Sequence, residues 1–93
     1  MARKYLFKTT PTFRKALRKL DRPLKESVRS AFAIFKHDSF DPRLRTHKIH
    51  GLSRKLGCTI YSVCIESDLR AIFYIGGAVV VSLDIGDHSI YRN

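Results

Sequence analysis

The sequence predicts an α+β fold in the order β-α-α-β-β-β: a mainly antiparallel four-stranded sheet with an αα-hairpin packed on one face. Three observations carry this reading. Two consecutive apolar stripes at helical spacing occupy residues 11–37, and three runs of alternating apolar residues follow Gly57. Gly76-Gly77 then sits between the last two runs, where a tight hairpin loop needs positive φ. The 93 residues suffice for one modest core, so residues 1–93 are expected to form a single domain.

Lys4 to Lys8 reads as a short opening strand. Thr10-Pro11 supplies a cap and a first-turn proline, and Phe13, Ala16, Leu17 and Leu20 recur on one side of the helix that follows. Asp21-Arg22-Pro23 breaks that helix and starts a second. Leu24, Val28, Ala31, Phe32 and Phe35 form its stripe, which should end near His37. A tight corner between two such helices makes an αα-hairpin. Lys36 to Lys55 is the least regular and most polar stretch. Strands follow at about Cys58 to Ile65, Leu69 to Ile75 and Ala78 to Ile85, with Ser67-Asp68 in a turn.

Alternation assigns the strand faces. Tyr61, Val63, Ile65, Leu69, Ala71, Phe73, Ile75, Val79, Val81, Leu83 and Ile85 should meet the helices. Ser62, Cys64, Arg70, Ile72, Tyr74, Val80, Ser82 and Asp84 should form the other face, mixed and partly solvated. His88 continues that second phase past Gly86 and should emerge beside Arg70.

Charge narrows the partners. Sixteen of the eighteen Lys and Arg precede Leu56, against four acids, so this part carries a net +12 and the remainder −2. So lopsided a distribution suits a polyanion, nucleic acid first and a membrane surface second. An acidic protein would suit it as well. The basic helix positions Arg14, Lys15, Arg18, Arg22, Lys25 and Arg29 read most simply as solvated surface, with nucleic acid as a further contact. MARKYLFK lacks the apolar run of a signal peptide, and Leu69 to Leu83 is interrupted by Arg70 and two glycines, so no membrane span is expected. Cys58 and Cys64, on one predicted strand, would stand roughly 20 Å apart and could not bridge. Reduced thiols without an export signal point to the cytoplasm.

Three polar signatures interrupt the apolar strands: THKIHG (Thr46 to Gly51), ESDLRAIFY (Glu66 to Tyr74) and IGDHSIY (Ile85 to Tyr91). Each puts a histidine, or an acid with an arginine, at a strand edge. Cleaving RNA without a metal or other cofactor needs a base for the 2′-hydroxyl, an acid for the leaving 5′-oxygen and a cation for the crowded phosphate. Histidine exchanges protons most readily near neutrality. His47, Asp68 and His88 could share the proton transfers, Arg70 could hold the phosphate by a bidentate contact, and Tyr91 could stack on a base. Arg43, Arg45, Lys48, His50, Arg54 and Lys55 would supply the RNA-binding surface.

Plainer roles exist for several of these. His47 could hydrogen-bond a backbone carbonyl, His50 could pack beside Gly51, and His37 fits a helix C-terminus. Asp68 could cap a turn. Arg70, in mid-sheet, needs a partner among Glu66, Asp68 and Asp84. A zinc site from His47, His50, Cys58 and Cys64 is disfavoured, because the two cysteines cannot converge.

In order and spacing, THKIHG, DLRAIFY and IGDH-x-x-Y resemble the RelE/ParE superfamily of toxin–antitoxin toxins, and within it the RelE/StbE and YafQ-like ribonucleases. The resemblance spans nearly the whole chain. It implies an mRNA interferase, an endoribonuclease cutting translated mRNA in the ribosomal A site and leaving a cyclic phosphate. It also implies silencing by a cognate acidic antitoxin in a toxin–antitoxin hetero-oligomer. The proton-transfer histidine of H-x-L-x-G falls on His47, the family acid on Asp68 and the late histidine on His88. The C-terminal aromatic falls on Tyr91 and the strand arginine on Arg70. One position departs: Cys64 stands where the YafQ-like branch has a further catalytic histidine, four residues before the acid. ParE-like relatives share the fold but inhibit DNA gyrase, and a degenerate, non-toxic member that only binds antitoxin would also fit.

Overall fold

The structure, a computed structural model, describes residues 5–66, 68–87 and 89–90. Its strands are β1 (Leu6–Thr9), β2 (His47–Lys48), β3 (Ile60–Glu66), β4 (Leu69–Gly76) and β5 (Val79–Gly86). Its helices are α1 (Pro11–Arg18), α2 (Arg22–His37) and α3 (His50–Leu56), with a 3₁₀ turn at Pro42–Leu44. The strands form one five-stranded sheet in the order β1-β5-β4-β3-β2. β1 runs parallel to β5, and every other neighbouring pair is antiparallel. The α+β class and the αα-hairpin are as the sequence predicts, with one strand more than the four expected.

The hairpin forms where its caps say it should. Thr10 Oγ1 accepts from the Phe13 N–H at 3.1 Å, and Asp21 Oδ1 accepts from the Leu24 N–H at 3.1 Å, each just before a first-turn proline. α1 and α2 lay Phe13, Val28, Ala31 and Phe35 on Val63, Leu69, Ala71 and Phe73 of the sheet. Rings dominate this main core. Phe35 meets Phe73 edge-on at 4.7 Å between centroids, and Tyr61 stacks on Phe73 at 5.4 Å.

Two expectations fail, each for a local reason. In β5 the residues that turn to the helices are Val80, Ser82 and Ile85, not Val79, Val81 and Leu83. Ile72 pairs with Asp84 but Phe73 pairs with Ser82, so Leu83 is an extra residue, a bulge. Strand side chains alternate with period two, and one inserted residue reverses the phase upstream of it. The bulge is where α1 docks: Thr10 Oγ1 donates to the Leu83 carbonyl at 2.7 Å. The hairpin loop is likewise displaced by one residue. Gly76 pairs with Val79, leaving Gly77-Ala78 as the loop, with Gly77 at φ 60° as its first central residue.

The second correction concerns the face opposite the helices. It is not simply mixed and solvated but holds a small core of its own: Leu52, Ile60, Ile72 and Ile90, with Ile49, Tyr74 and Leu83 packed around them. α3 supplies Leu52, and Ser53 ties that helix to β3 by accepting from the Ile60 N–H at 2.8 Å. The stretch expected to be irregular is therefore a 3₁₀ turn, an edge strand and a helix. Its periodicity escapes notice because a seven-residue helix needs just one buried anchor.

Candidate functional site

The second face is where the sheet gathers polar chemistry. Directly opposed residues of neighbouring strands share a face. One row across the sheet runs His47, Ser62, Ile72, and the next runs Cys64, Arg70, Gly86. His47 and Arg70 thus stand on the same face, as the strand phase requires. Two strand spacings and one row separate them, roughly 12 Å between Cα atoms. Cys64 lies between them in the sheet, directly opposite Arg70. Ser62, wholly buried, is the direct cross-strand neighbour of His47.

His47 is exposed on the edge strand, and its Nδ1 lies 2.9 Å from the Arg45 carbonyl oxygen. A carbonyl can only accept, so Nδ1 carries the hydrogen and donates. In the neutral ring Nε2 is then left as an acceptor. The plain reading and the chemical one therefore coincide: the bond that fixes the ring also selects the tautomer a general base needs. Arg45 presents that carbonyl from a left-handed conformation at φ 49°, unusual for a residue with a side chain.

Arg70 sits in β4 with its side chain 28% exposed, and its Nε lies 3.9 Å from Asp68 Oδ1. Asp68 is the acid it faces, rather than Asp84. Asp84 accepts from its neighbour, the Ile85 N–H, at 2.8 Å and lines a groove with Thr12 and Lys15 of α1 and with Lys19, which caps that helix. Asp68, 58% exposed, stands at the sheet's end rather than on its face, lining a shallow acidic groove with Glu66, Asp87, Leu24 and Leu69. A long, solvated ion pair of this kind adds little to stability. Arg70→Ala should accordingly shift the unfolding free energy by less than about 1 kcal/mol in urea titrations.

The expected RNA-binding residues lie along the 3₁₀ turn, β2 and α3, next to the β2 edge of the sheet. All six are exposed. Arg45, Lys48 and His50 follow one another along the strand edge into α3, and Arg54 and Lys55 occupy its last turn. Arg43 differs. Its Nε and Nη2 donate to the two Asp41 carboxylate oxygens at 3.0 and 2.9 Å. Donation from the Arg43 side chain, then from its backbone N–H, pulls the Asp41 carboxyl from its ordinary 3.8 down to about 2. A carboxyl so depressed contributes stability that is complete above pH 3.8 and is lost as pH falls through about 2. In NMR titration Asp41 should be among the last carboxyls to protonate, and Arg43→Ala should return its midpoint toward 3.8.

His88 and Tyr91 lie outside the described residues. The chain that leads to His88 is Gly86-Asp87, and beyond it Ile90 is buried in the second core. Among the described residues no three His, Cys, Asp or Glu side chains stand close enough to hold a metal ion. Cys58 and Cys64 form no disulfide with each other. Sequence reasoning missed the scaffold of this site: Leu52 and Ile90, which cover its sheet face, and Ser53, which fastens α3. The i, i+3 spacing of Ile49 and Leu52 was the available signal.

The αα-hairpin thus packs on one face of this sheet, and the other face carries a histidine and an arginine. No protein-family model matches the sequence, and no curated protein matches it. Solved structures do. The archaeal RelE–RelB complex from Pyrococcus horikoshii matches with a TM-score of 0.70 at 15% identity, over 90% of this chain and 94% of that one. The E. coli DinJ–YafQ toxin–antitoxin complex also gives 0.70, at 11% identity over 94% and 96%. A metal-bound toxin from Helicobacter pylori gives 0.62, at 19% identity over 92% and 97%. At these identities the likeness is one of fold: this chain has the RelE-like toxin fold. Among the described residues no helix is long and apolar enough to cross a membrane.

Proposed function

We propose that this chain is the toxin of a toxin–antitoxin pair, a metal-independent endoribonuclease that cuts mRNA during translation at the ribosomal A site. The observation that carries the reading is the shared face of His47 and Arg70, flanked by the basic edge formed by β2 and α3. His47 Nε2 takes the proton of an RNA 2′-hydroxyl, and the freed oxygen attacks the adjacent phosphorus. The Arg70 guanidinium holds the phosphate oxygens while negative charge builds on them. The P–O5′ bond breaks, leaving a 2′,3′-cyclic phosphate on one fragment, and His88 gives the departing 5′-oxygen its proton. Asp68 holds Arg70 until substrate arrives, and Tyr91 stacks on a base. Arg43, Arg45, Lys48, His50, Arg54 and Lys55 draw in the RNA backbone.

A cytoplasmic location follows from that substrate, and an acidic antitoxin complements the basic surface. Solved relatives in fold that are themselves complexes, RelE with RelB and YafQ with DinJ, support the pairing. The test is induced expression with mapping of transcript 5′ ends. New ends within translated frames, absent with His88→Ala, are expected. Intact transcripts alongside a DNA-damage response would replace the nuclease reading with a ParE-like inhibitor of DNA gyrase. Intact transcripts with normal growth would leave a module that only binds antitoxin.

A further inference from the structure

β5 ends at Gly86, opposite Arg70, and the backbone there does not call for glycine: among the described residues, the glycines with positive φ are Gly57 and Gly77. The reason for glycine is a contact. A Cβ on Gly86 would stand 2.9 Å from Ile90 Cγ2, closer than non-bonded carbons come. After β5 the chain folds back on itself, and Ile90, 8% exposed, drops into the second core with Leu52, Ile60 and Ile72. Two hydrogen bonds hold the fold-back. Asp87 Oδ1 accepts from the Ser89 N–H at 2.8 Å, and the Asp87 carbonyl accepts from the Ile90 N–H at 3.2 Å.

This core joins parts that would otherwise be independent. Leu52 belongs to α3, which continues directly from β2 and His47. Ile72 belongs to β4, two residues from Arg70. Ile90 belongs to the segment that carries His88 in sequence. We propose that Gly86 and Ile90 are positioning residues: an isoleucine seated over a glycine registers the C-terminal segment against the sheet face that bears Arg70 and His47. Neither residue takes part in chemistry. The proposal rests on the endoribonuclease reading and goes beyond it, because it assigns the geometry of the site to an apolar contact outside the three polar signatures' charged residues.

Cleavage of a defined mRNA on purified ribosome complexes tests it, read as the rate constant at saturation and the half-saturating concentration, beside amide hydrogen exchange. Gly86→Ala should lower the saturating rate constant by about 10²-fold, the scale of an ångström misplacement, with half-saturation within about twofold. Exchange at Ser89 and Ile90 should accelerate while the β3 and β4 amides stay protected. Ile90→Leu removes the branch at Cβ that the added methyl would strike, so Gly86→Ala with Ile90→Leu should recover most of the rate of Ile90→Leu alone. A Gly86→Ala protein with undiminished rate, unchanged exchange at Ser89 and Ile90, or a double variant no faster than the single one would overturn the proposal. Wild-type protein that leaves the mRNA whole would instead remove the endoribonuclease reading itself.

Discussion

His47→Ala should lower the rate of RNA cleavage by about 10²- to 10⁴-fold, the range for loss of a general base. Stability should hardly change. The side chain is exposed, and its hydrogen bond from Nδ1 to the Arg45 carbonyl is of a kind worth about 1 kcal/mol. The two roles of the ring can be separated by substitution. In His47→Asn the amide nitrogen falls near the Nδ1 position and can still donate to the Arg45 carbonyl, but nothing replaces Nε2. If the ring serves as base, asparagine should be as inactive as alanine while melting with the wild type. In His47→Gln the amide can reach the Nε2 position without basicity, so it too should fail. Single-turnover cleavage with purified ribosome complexes, paired with thermal melts, decides the matter. Full activity in His47→Asn would reduce the histidine to a loop fastener and move the base elsewhere, with His50 the nearest candidate in sequence.

How far the sequence reveals such a site depends on the range of the interactions that build it. The hairpin helices were readable because their caps, prolines and apolar stripes are local: Thr10-Pro11 and Asp21-Arg22-Pro23 mark both starts. His47 and Arg70 were placed on one face by strand phase, which is also local as long as pairing is regular. The reading broke down at Leu83. Nothing in Val79 to Ile85 announces a bulge, and the partner that meets the bulged Leu83 carbonyl is Thr10, 73 residues away. The second core was illegible for the same reason. Leu52, Ile72 and Ile90 come from three separate segments, none with a long apolar period, and the core exists only once the sheet has assembled. Even so, the phase error left the site face intact, since it fell upstream of Gly86 and did not touch β3 or β4.

Phe73→Ala should be the most destabilising substitution in the main core, at about 3–5 kcal/mol. The ring is 1% exposed and lies in β4, the strand flanked on both sides by the longest pairings of the sheet. It takes the edge of Phe35 from above and the face of Tyr61 alongside, so truncation removes two aromatic contacts together with the buried area. A domain of this size holds about 5–15 kcal/mol in all, so the variant should lie close to the unfolding threshold. Its melting temperature should fall by roughly 12 °C or more, at about 4 °C or more per kcal/mol. Phe73→Leu, which keeps most of the apolar volume, should cost markedly less. The loss should also reach the site, because β4 is shared by both cores: Phe73 faces the helices while its neighbour Ile72 faces Leu52 and Ile90. Loosening that strand frees Arg70 from its register opposite Cys64 and Gly86. Urea titration measures the first effect. A loss below about 1 kcal/mol would mean that the helices can collapse onto the vacancy, and that Phe35 rather than the sheet sets the packing of the core.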